Sequence, residues 1–404
     1  MGLFSQPKRI YLDYAAATPL HKEVLKVMQP FLTVQFGNAS AVHEEGRIAR
    51  DAIETARTDL ARMLHIRPKD VTFTANGTES NNLAIVGYVS ALHNAGRAYE
   101  DMEVIGTRIE HPSILETLAS LKKKGVIVHF ADVEKEEGRI NEDSLRTLLN
   151  THTVLVTYAY VNSEIGVVQD VKRISRIIKK FNAEKGTEIK SHLDASQAPL
   201  WLPCQMDMLG VDLMTLDAGK CYGPKGIGVL ARVGKVTLLP IIYGGGQEGS
   251  LRPGTESPAL IVGAAASLLR ADAGRERRVK HAQKLQDAFL HALSKKIPEA
   301  VLNGSREHRV ANNVHISLPG FDSEFAAVTL DTEGIAVSTR SACGSGEGKG
   351  SYVVRVIADD IRARSTLRFT FGEETRRRDP LRVIASLRQH LDSMNMYAGT
   401  HLEG

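Results

Sequence analysis

Four side chains lie where apolar runs give way to turns, and together they describe one kind of chemistry. Asp194 closes IKSHLD (189–194), and Lys220 follows DLMTLD (212–217) into the turn GKCYGPKG. An acid at the end of an apolar strand is costly to ionise unless it meets a cation or hydrogen-bond donors. A protonated ring nitrogen would satisfy it. A lysine in a glycine- and proline-rich turn can be held close to a ligand and desolvated. The ordinary reading is a solvated loop lysine, and Lys225 in the same turn is a rival. His111 opens EHPSIL after another apolar strand, where a histidine before proline is more often a cap than a catalyst. VTFTANGTESNNLAI (71–85) supplies a strand, a turn at Asn76 and Gly77, and a helix with Thr78 as its expected N-cap. Such a helix start suits a phosphate, although a plain Thr cap is the commoner reading. An anion site, an acid, a lysine and an aromatic base at successive strand ends are what pyridoxal phosphate needs.

The thiols point to a separate function. Cys204, Cys221 and Cys343 are odd in number and lack metal-ligand spacing, so neither a disulfide framework nor a metal site is expected. A free cysteine is more often a small buried hydrophobe than a nucleophile. Cys343 is placed differently, in the glycine-rich CGSGEGKG (343–350), where exposure and mobility are expected. Cys204 and Cys221 have apolar or structured neighbours.

The elements that must position these groups alternate. Short β-branched runs at 71–75, 126–130, 153–161, 189–194, 212–217 and 226–231 are separated by helical patterns at His43–His65, Thr78–Ala95 and Val171–Phe181. This predicts an α/β fold, a mainly parallel sheet between helices. After Gly254 the composition changes: Pro258–Lys296 reads as a long charged helix or a helix pair. A second αβ region follows, with strands at Asn313–Leu318, Ile335–Ser338 and Thr366–Phe371, a helix at Ser323–Thr332, and a closing helix through Met394. The expected division is a large domain over 15–265 and a small C-terminal domain over 266–404, with residues 1–14 packing near it. At 404 residues, 43% apolar and a net charge of +4, the chain is neither disordered nor strongly basic, so direct nucleic-acid binding is not expected. No apolar run reaches the ~18 residues of a membrane span, and the N-terminus lacks a signal-peptide core. A cytoplasmic protein is expected.

The sequence resembles the cysteine desulfurases of the class-V aminotransferase group, fold type I pyridoxal-phosphate enzymes, nearly end to end. The resemblance is carried by YLDYAAATP, FGNAS, GTESNNLAI, EHPSIL, VNSEIGVVQD, HLDASQA, GKCYGPKGIG, GGGQEGSLRPGT, SACGS and STLRFTFG, in family order. It implies that Lys220 binds the cofactor covalently, Asp194 pairs with the pyridine nitrogen, Gln197 contacts the phenolic oxygen and His111 stacks on the ring. It also implies that Gly77 and Thr78 hold the phosphate, completed by Thr255 of a second subunit in an obligate homodimer. Asn38 and Arg368 match residues that hold the substrate carboxylate, and Cys343 matches the sulfur-accepting nucleophile. The implied reaction converts L-cysteine to L-alanine. Sulfur would leave through a Cys343 persulfide to an acceptor, such as an iron–sulfur scaffold or a tRNA-thiolation relay. The stretch from Gly344 to Ser365 fits the longer catalytic loop of the scaffold-serving class.

The family pattern is broken near the cofactor. An expected Asn-Asn pair is Asn162-Ser163, placing a shorter hydroxyl at Ser163. Where the family has Ser-x-His-Lys, this chain has Asp217, Ala218, Gly219 and Lys220. Two phosphate donors are absent, and Asp217 would set a carboxylate near a phosphate unless it is protonated, turned away or paired with a cation. Two other readings stand beside a working desulfurase. One is a different fold type I reaction, by an aminotransferase or selenocysteine lyase. The other is a non-catalytic dimeric descendant with weak cofactor binding.

Overall fold

A computed structural model describes residues 9–339 and 350–400. Seven strands form the main sheet: β1 (Val71–Thr74), β2 (Glu103–Thr107), β3 (Ile127–Ala131), β4 (Thr153–Ala159), β5 (Lys190–Asp194), β6 (Leu213–Asp217) and β7 (Gly228–Arg232). Their order is β1-β7-β6-β5-β4-β2-β3. β7 runs antiparallel to both β1 and β6, and the remaining neighbours are parallel. β4 reads TVLVTYA and is buried along nearly its whole length, as a strand covered on both faces must be. Because β1, β2, β4, β5 and β6 point the same way, the turns after them gather on one sheet edge. That edge is where open α/β sheets bind ligands.

The flanking helices are α1 (Lys22–Thr33), α2 (Glu44–Leu64), α3 (Gly77–Asn94), α4 (Pro112–Lys123) and α5 (Val171–Lys185). α2 buries Ala49, Ile53, Ala56, Leu60 and Leu64, the three- and four-residue spacing of one helical face. It ends at His65 in the left-handed region, φ 59°.

Of the two forms open to Pro258–Lys296, one long helix or a pair, the structure has the pair, α6 (Pro258–Ala273) and α7 (Arg275–Lys296), parted at Gly274. α6 packs on α1 and α2, whereas α7 packs on α8 (Asp379–Thr400). A second apolar core gathers Leu285, Phe289 and Leu293 of α7 against β8 (Asn313–Ser317) and β9 (Thr366–Thr370). The Phe289 and Phe369 ring centroids are 4.8 Å apart. Residues Ile10–Tyr11 pair with Ile335–Ala336, and Ile10 and Leu12 join this core. The chain then enters the sheet edge at Ala15–Thr18.

The stretch expected as a long loop is only partly one. Residues Tyr352–Ile357 and Asp360–Arg364 are helical. Val353, Val354 and Ile357 are fully buried against Ile109, Ile165 and Val167, and that apolar run is why the segment folds. Cys343 lies outside the described residues.

Candidate active site

Along the sheet edge, Gly77, Thr78, His111, Ser163, Asp194, Gln197, Lys220 and Arg368 line one cavity of about 230 Å³. Lys220 sits in the short turn Ala218–Lys220 after β6, and its Nζ donates to the Ala16 carbonyl at 2.6 Å. The turn is clamped by the YLDYAAATP segment: Thr18 Oγ1 donates to Gly219 O at 2.9 Å and accepts from Tyr222 N at 2.8 Å. Lys225 does not line the cavity; its Nζ donates to the Thr18 carbonyl. The two rival lysines are thereby separated.

Asp194 ends β5 and is 8% exposed. Its Oδ1 accepts from Ser196 N at 2.9 Å and its Oδ2 from Asn81 Nδ2 at 2.8 Å. No basic side chain forms an ion pair with it among the described residues. A buried carboxylate with lone pairs to spare and no cation fits a protonated pyridine nitrogen.

Asn81 also donates to Ser113 Oγ at 2.9 Å, and Ser113 Oγ lies 2.8 Å from His111 Nδ1. Ser113 N donates to the same nitrogen at 3.1 Å. With Nδ1 accepting, the network assigns the proton of neutral His111 to Nε2. Burial and, secondarily, Lys220 hold His111 below the usual histidine range against the opposing pull of Asp194. His111 is both the cap of α4 and a cavity residue, so two readings that compete in the sequence coexist.

Thr78 is not the cap of α3. Asn76 is: its side chain accepts from Glu79 N at 2.9 Å, because its extended backbone sets the side-chain oxygen beside that amide. Thr78 is the second helical residue and is exposed.

Gln197 lines the cavity and donates to Ala15 O at 2.9 Å. Arg368, from β9, reaches the cavity between Ser163 O and Asp13 Oδ1, both at 2.8 Å. Its Nε is buried without a partner among the described residues. Asn38 and Thr255 are exposed and outside the cavity of this single chain. Cys204 and Cys221 are buried free thiols. Burial pushes Cys204 up to about 12 and Cys221 further, so neither is a ready thiolate.

Several members of the site are silent in the sequence reading. Asn81 lies four residues after Gly77, one helical turn on, and that spacing could have marked it. Ser113 and Asp13 sit inside quoted motifs, but only the fold pairs them with His111 and Arg368. Glu110 is fully buried beside them: it accepts from Thr107 Oγ1 at 2.5 Å and Ala159 N at 2.8 Å. Burial pushes it up to about 8.

At the far end, Asp217 is not turned away and forms no ion pair among the described residues. Its carboxylate faces the cavity and accepts from the Gly219 and Gly77 backbone amides. The lysine, acid and histidine fit pyridoxal phosphate at the ring end, while the phosphate end already holds an acid.

Comparison with known proteins places this arrangement among relatives. The profile of the family Aminotransferase class-V matches residues 10–379. A cysteine desulfurase IscS of Dictyoglomus turgidum is 36% identical over 394 residues, 96% of this chain and 97% of that protein. One from Neisseria meningitidis serogroup C is 37% identical over 370 residues, 91% and 88% of the two chains. Among solved structures, a NifS-like protein superposes with a TM-score of 0.86 at 29% identity, covering 95% of this chain and 99% of that one. SspA in complex with cysteine superposes at 0.76 with 30% identity over 90% and 98%.

Proposed function

The chain belongs to the class-V aminotransferase family and is a pyridoxal-phosphate-dependent cysteine desulfurase, and we propose that its cavity divides the work as follows. Lys220 binds the cofactor and carries protons to and from the substrate carbon. Asp194 holds the pyridine nitrogen protonated, and Asn81 and Ser196 hold Asp194. The bound cofactor supplies an electron sink that loosens bonds at the substrate's α- and β-carbons. Gln197 and Ser163 face its phenolic oxygen. His111 would hold its ring, with its tautomer fixed by Ser113. Gly77 and Thr78 receive the phosphate.

Arg368 takes the carboxylate of L-cysteine, with Asn38 of the completed assembly. Two of its donor groups are spoken for by Ser163 O and Asp13, which aim the guanidinium, and an unspent Nε remains to bind. The Cys343 thiolate attacks the substrate sulfur: the S–S bond of a Cys343 persulfide forms as the substrate's Cβ–S bond breaks, the electron pair of that bond stays with the substrate, and a proton delivered by Lys220 completes alanine. The helix Tyr352–Ile357 ties the chain after Cys343 to the site: Tyr352 OH donates to Glu110 O at 2.6 Å, one residue from His111.

A homodimer completes the site, with Thr255 reaching the partner's phosphate. Four exposed apolar side chains within eleven residues of chain, Leu32, Val34, Phe36 and Val42, support this, because apolar residues concentrated on one surface segment are commoner at interfaces. The sulfur acceptor is a protein of an iron–sulfur cluster or tRNA-thiolation pathway, and a cytoplasmic setting keeps the thiols reduced. No described helix is long and apolar enough to cross a membrane.

The observation that carries this reading is the meeting of Lys220, Asp194, His111 and Arg368 in one cavity. Its test is Cys343→Ser. The variant should bind cofactor and show a spectral change with L-cysteine, yet yield neither alanine nor sulfide. Alanine and sulfide at the parent rate would reject Cys343 as the sulfur-accepting nucleophile, and a keto acid in place of alanine would favour an aminotransferase.

A further inference from the structure

Asp217 occupies the point where the anion donors of the cavity converge. Its Oδ1 accepts from Gly219 N at 2.8 Å and its Oδ2 from Gly77 N at 3.3 Å. Gly77 is the first residue of the 18-residue α3, so the second bond lies at the positive end of a helix dipole. Two glycines make the arrangement possible. Gly228 pairs with Thr74 on one side and with Asp217 on the other. A Cβ on it would come within 2.5 Å of the Asn76 carbonyl carbon. Without that Cβ, the turn after β1 crosses the start of β7 and brings Gly77 to Asp217. A Cβ on Gly219 would stand 3.1 Å from Asp217 Oδ1, crowding the carboxylate against its donor. The acid, its two amides and the space around it therefore form one unit.

We infer that Asp217 determines which protonation state of the cofactor's phosphate the site accepts: it admits the phosphate together with one proton, shared between the Asp217 carboxylate and a phosphate oxygen. This rests on reading the cavity as the pyridoxal-phosphate site. A phosphate dianion and an ionised carboxylate repel when they compete for the same two N–H groups, whereas a shared proton makes an O–H···O⁻ bond between them. The proton comes from solvent, and no other bond changes. The second ionisation of a phosphate monoester lies near pH ~6. Above it, each pH unit removes roughly tenfold of the monoanion, and affinity falls with it.

The other groups facing Asp217 do not supply this dependence. Burial lowers the proton affinity of His111 and raises that of Cys221, moving both away from the alkaline end at which the dependence is read. Lys225, next along the chain, is lowered by burial and by Lys220, against the opposing pull of Asp217, and is bonded to the Thr18 carbonyl. On α3, Glu79 is paired with Arg252 at 3.0 Å. Asp194, on β5, is held by Ser196 and Asn81. Lys220, bonded to the Ala16 carbonyl, is the same in all three proteins, and a probe without an aldehyde keeps imine formation out of the measured affinity.

The experiment titrates cofactor-stripped full-length protein as wild type, Asp217→Asn and Asp217→Ser, with circular dichroism confirming the fold of each. Calorimetry with pyridoxine 5′-phosphate between about pH 6 and about pH 8 reads affinity, and buffers of different ionisation heat read proton uptake. The wild type should take up one proton and lose roughly tenfold in affinity per unit at the alkaline end. Both variants should bind at least ~tenfold tighter there, with a flatter profile. Equal affinity, equal slope and no proton uptake in all three proteins would overturn the inference while leaving the site reading intact. Failure of every protein to take up pyridoxal phosphate, with no visible absorbance band at any pH, would overturn the site reading itself.

Discussion

The two ends of the cavity are built on opposite plans. At the ring end, side chains hold side chains: Asp194, Asn81, Ser113 and His111 form a continuous buried chain of hydrogen bonds. At the phosphate end, the backbone of a helix start and of the lysine turn supplies the donors, and the protein's own carboxylate takes them. The ring end is committed to chemistry and leaves an acid with capacity for a cation. On the inference drawn above, the phosphate end controls occupancy. A pyridoxal-phosphate site can therefore keep its reactive constellation while its affinity is tuned elsewhere.

The largest break in that comparison is Lys220→Ala, which removes the group both ends serve. Turnover should fall by roughly 10³-fold or more, and borohydride treatment followed by peptide mapping should find no trapped cofactor. Lys225→Ala should still trap it at Lys220. The opposite pattern would reassign the lysine.

Asp194→Asn should sharpen the contrast by damaging only the ring end. Losing a charge-assisted bond is worth about 1.5–3 kcal/mol, so kcat should drop about 10- to 100-fold, with affinity for inorganic phosphate unchanged. A parallel loss of phosphate affinity would show that the two ends are coupled.

Asn81→Ala comes next. It strips Asp194 and Ser113 of a shared donor, and a buried polar group left unmade costs about 1–3 kcal/mol. Denaturant unfolding should register that loss. A smaller fall in kcat than for Asp194→Asn should accompany it. Full stability in the variant would show that the network is not a structural unit.

The smallest effect on turnover concerns Glu110. Its folded-state proton affinity is raised to about 8 by burial, above its unfolded value. The folded protein then holds a proton that the unfolded chain releases, so stability falls as pH rises from about 4.5 to about 8. Glu110→Gln should flatten that slope in melting curves taken across the range. An unchanged slope would assign it to other groups.

The parts of this site legible in the sequence were those with local causes. Asp194 and Lys220 stand out because an ionisable residue ends an apolar run, and the strand alternation that places them is itself periodic. What stayed hidden depends on strand order. Asn81 meets Asp194, and Asp217 meets Gly77, only because β7 is inserted against the run of the sheet, bringing β1 and β6 exits to one edge. Pairings such as Asp13 with Arg368 span the chain and leave no periodic trace. The cap at Asn76 was misread as Thr78 because both residue types cap helices, and only backbone geometry separates them. The helices at Tyr352–Ile357 and Asp360–Arg364 look like loop in the sequence because each is shorter than two turns; the first is stabilised by burying Val353, Val354 and Ile357 and the second by burying Ala363.

The most direct test of the central claim follows the sulfur. Wild-type holoenzyme is given one equivalent of L-cysteine, quenched in acid and digested, and the Cys343 peptide is weighed by mass spectrometry while alanine is counted. The account predicts a Cys343 peptide heavier by one sulfur atom, in equal amount to the alanine formed, and no such gain on Cys204 or Cys221. Alanine appearing with Cys343 unmodified, or a keto acid in its place, would contradict it.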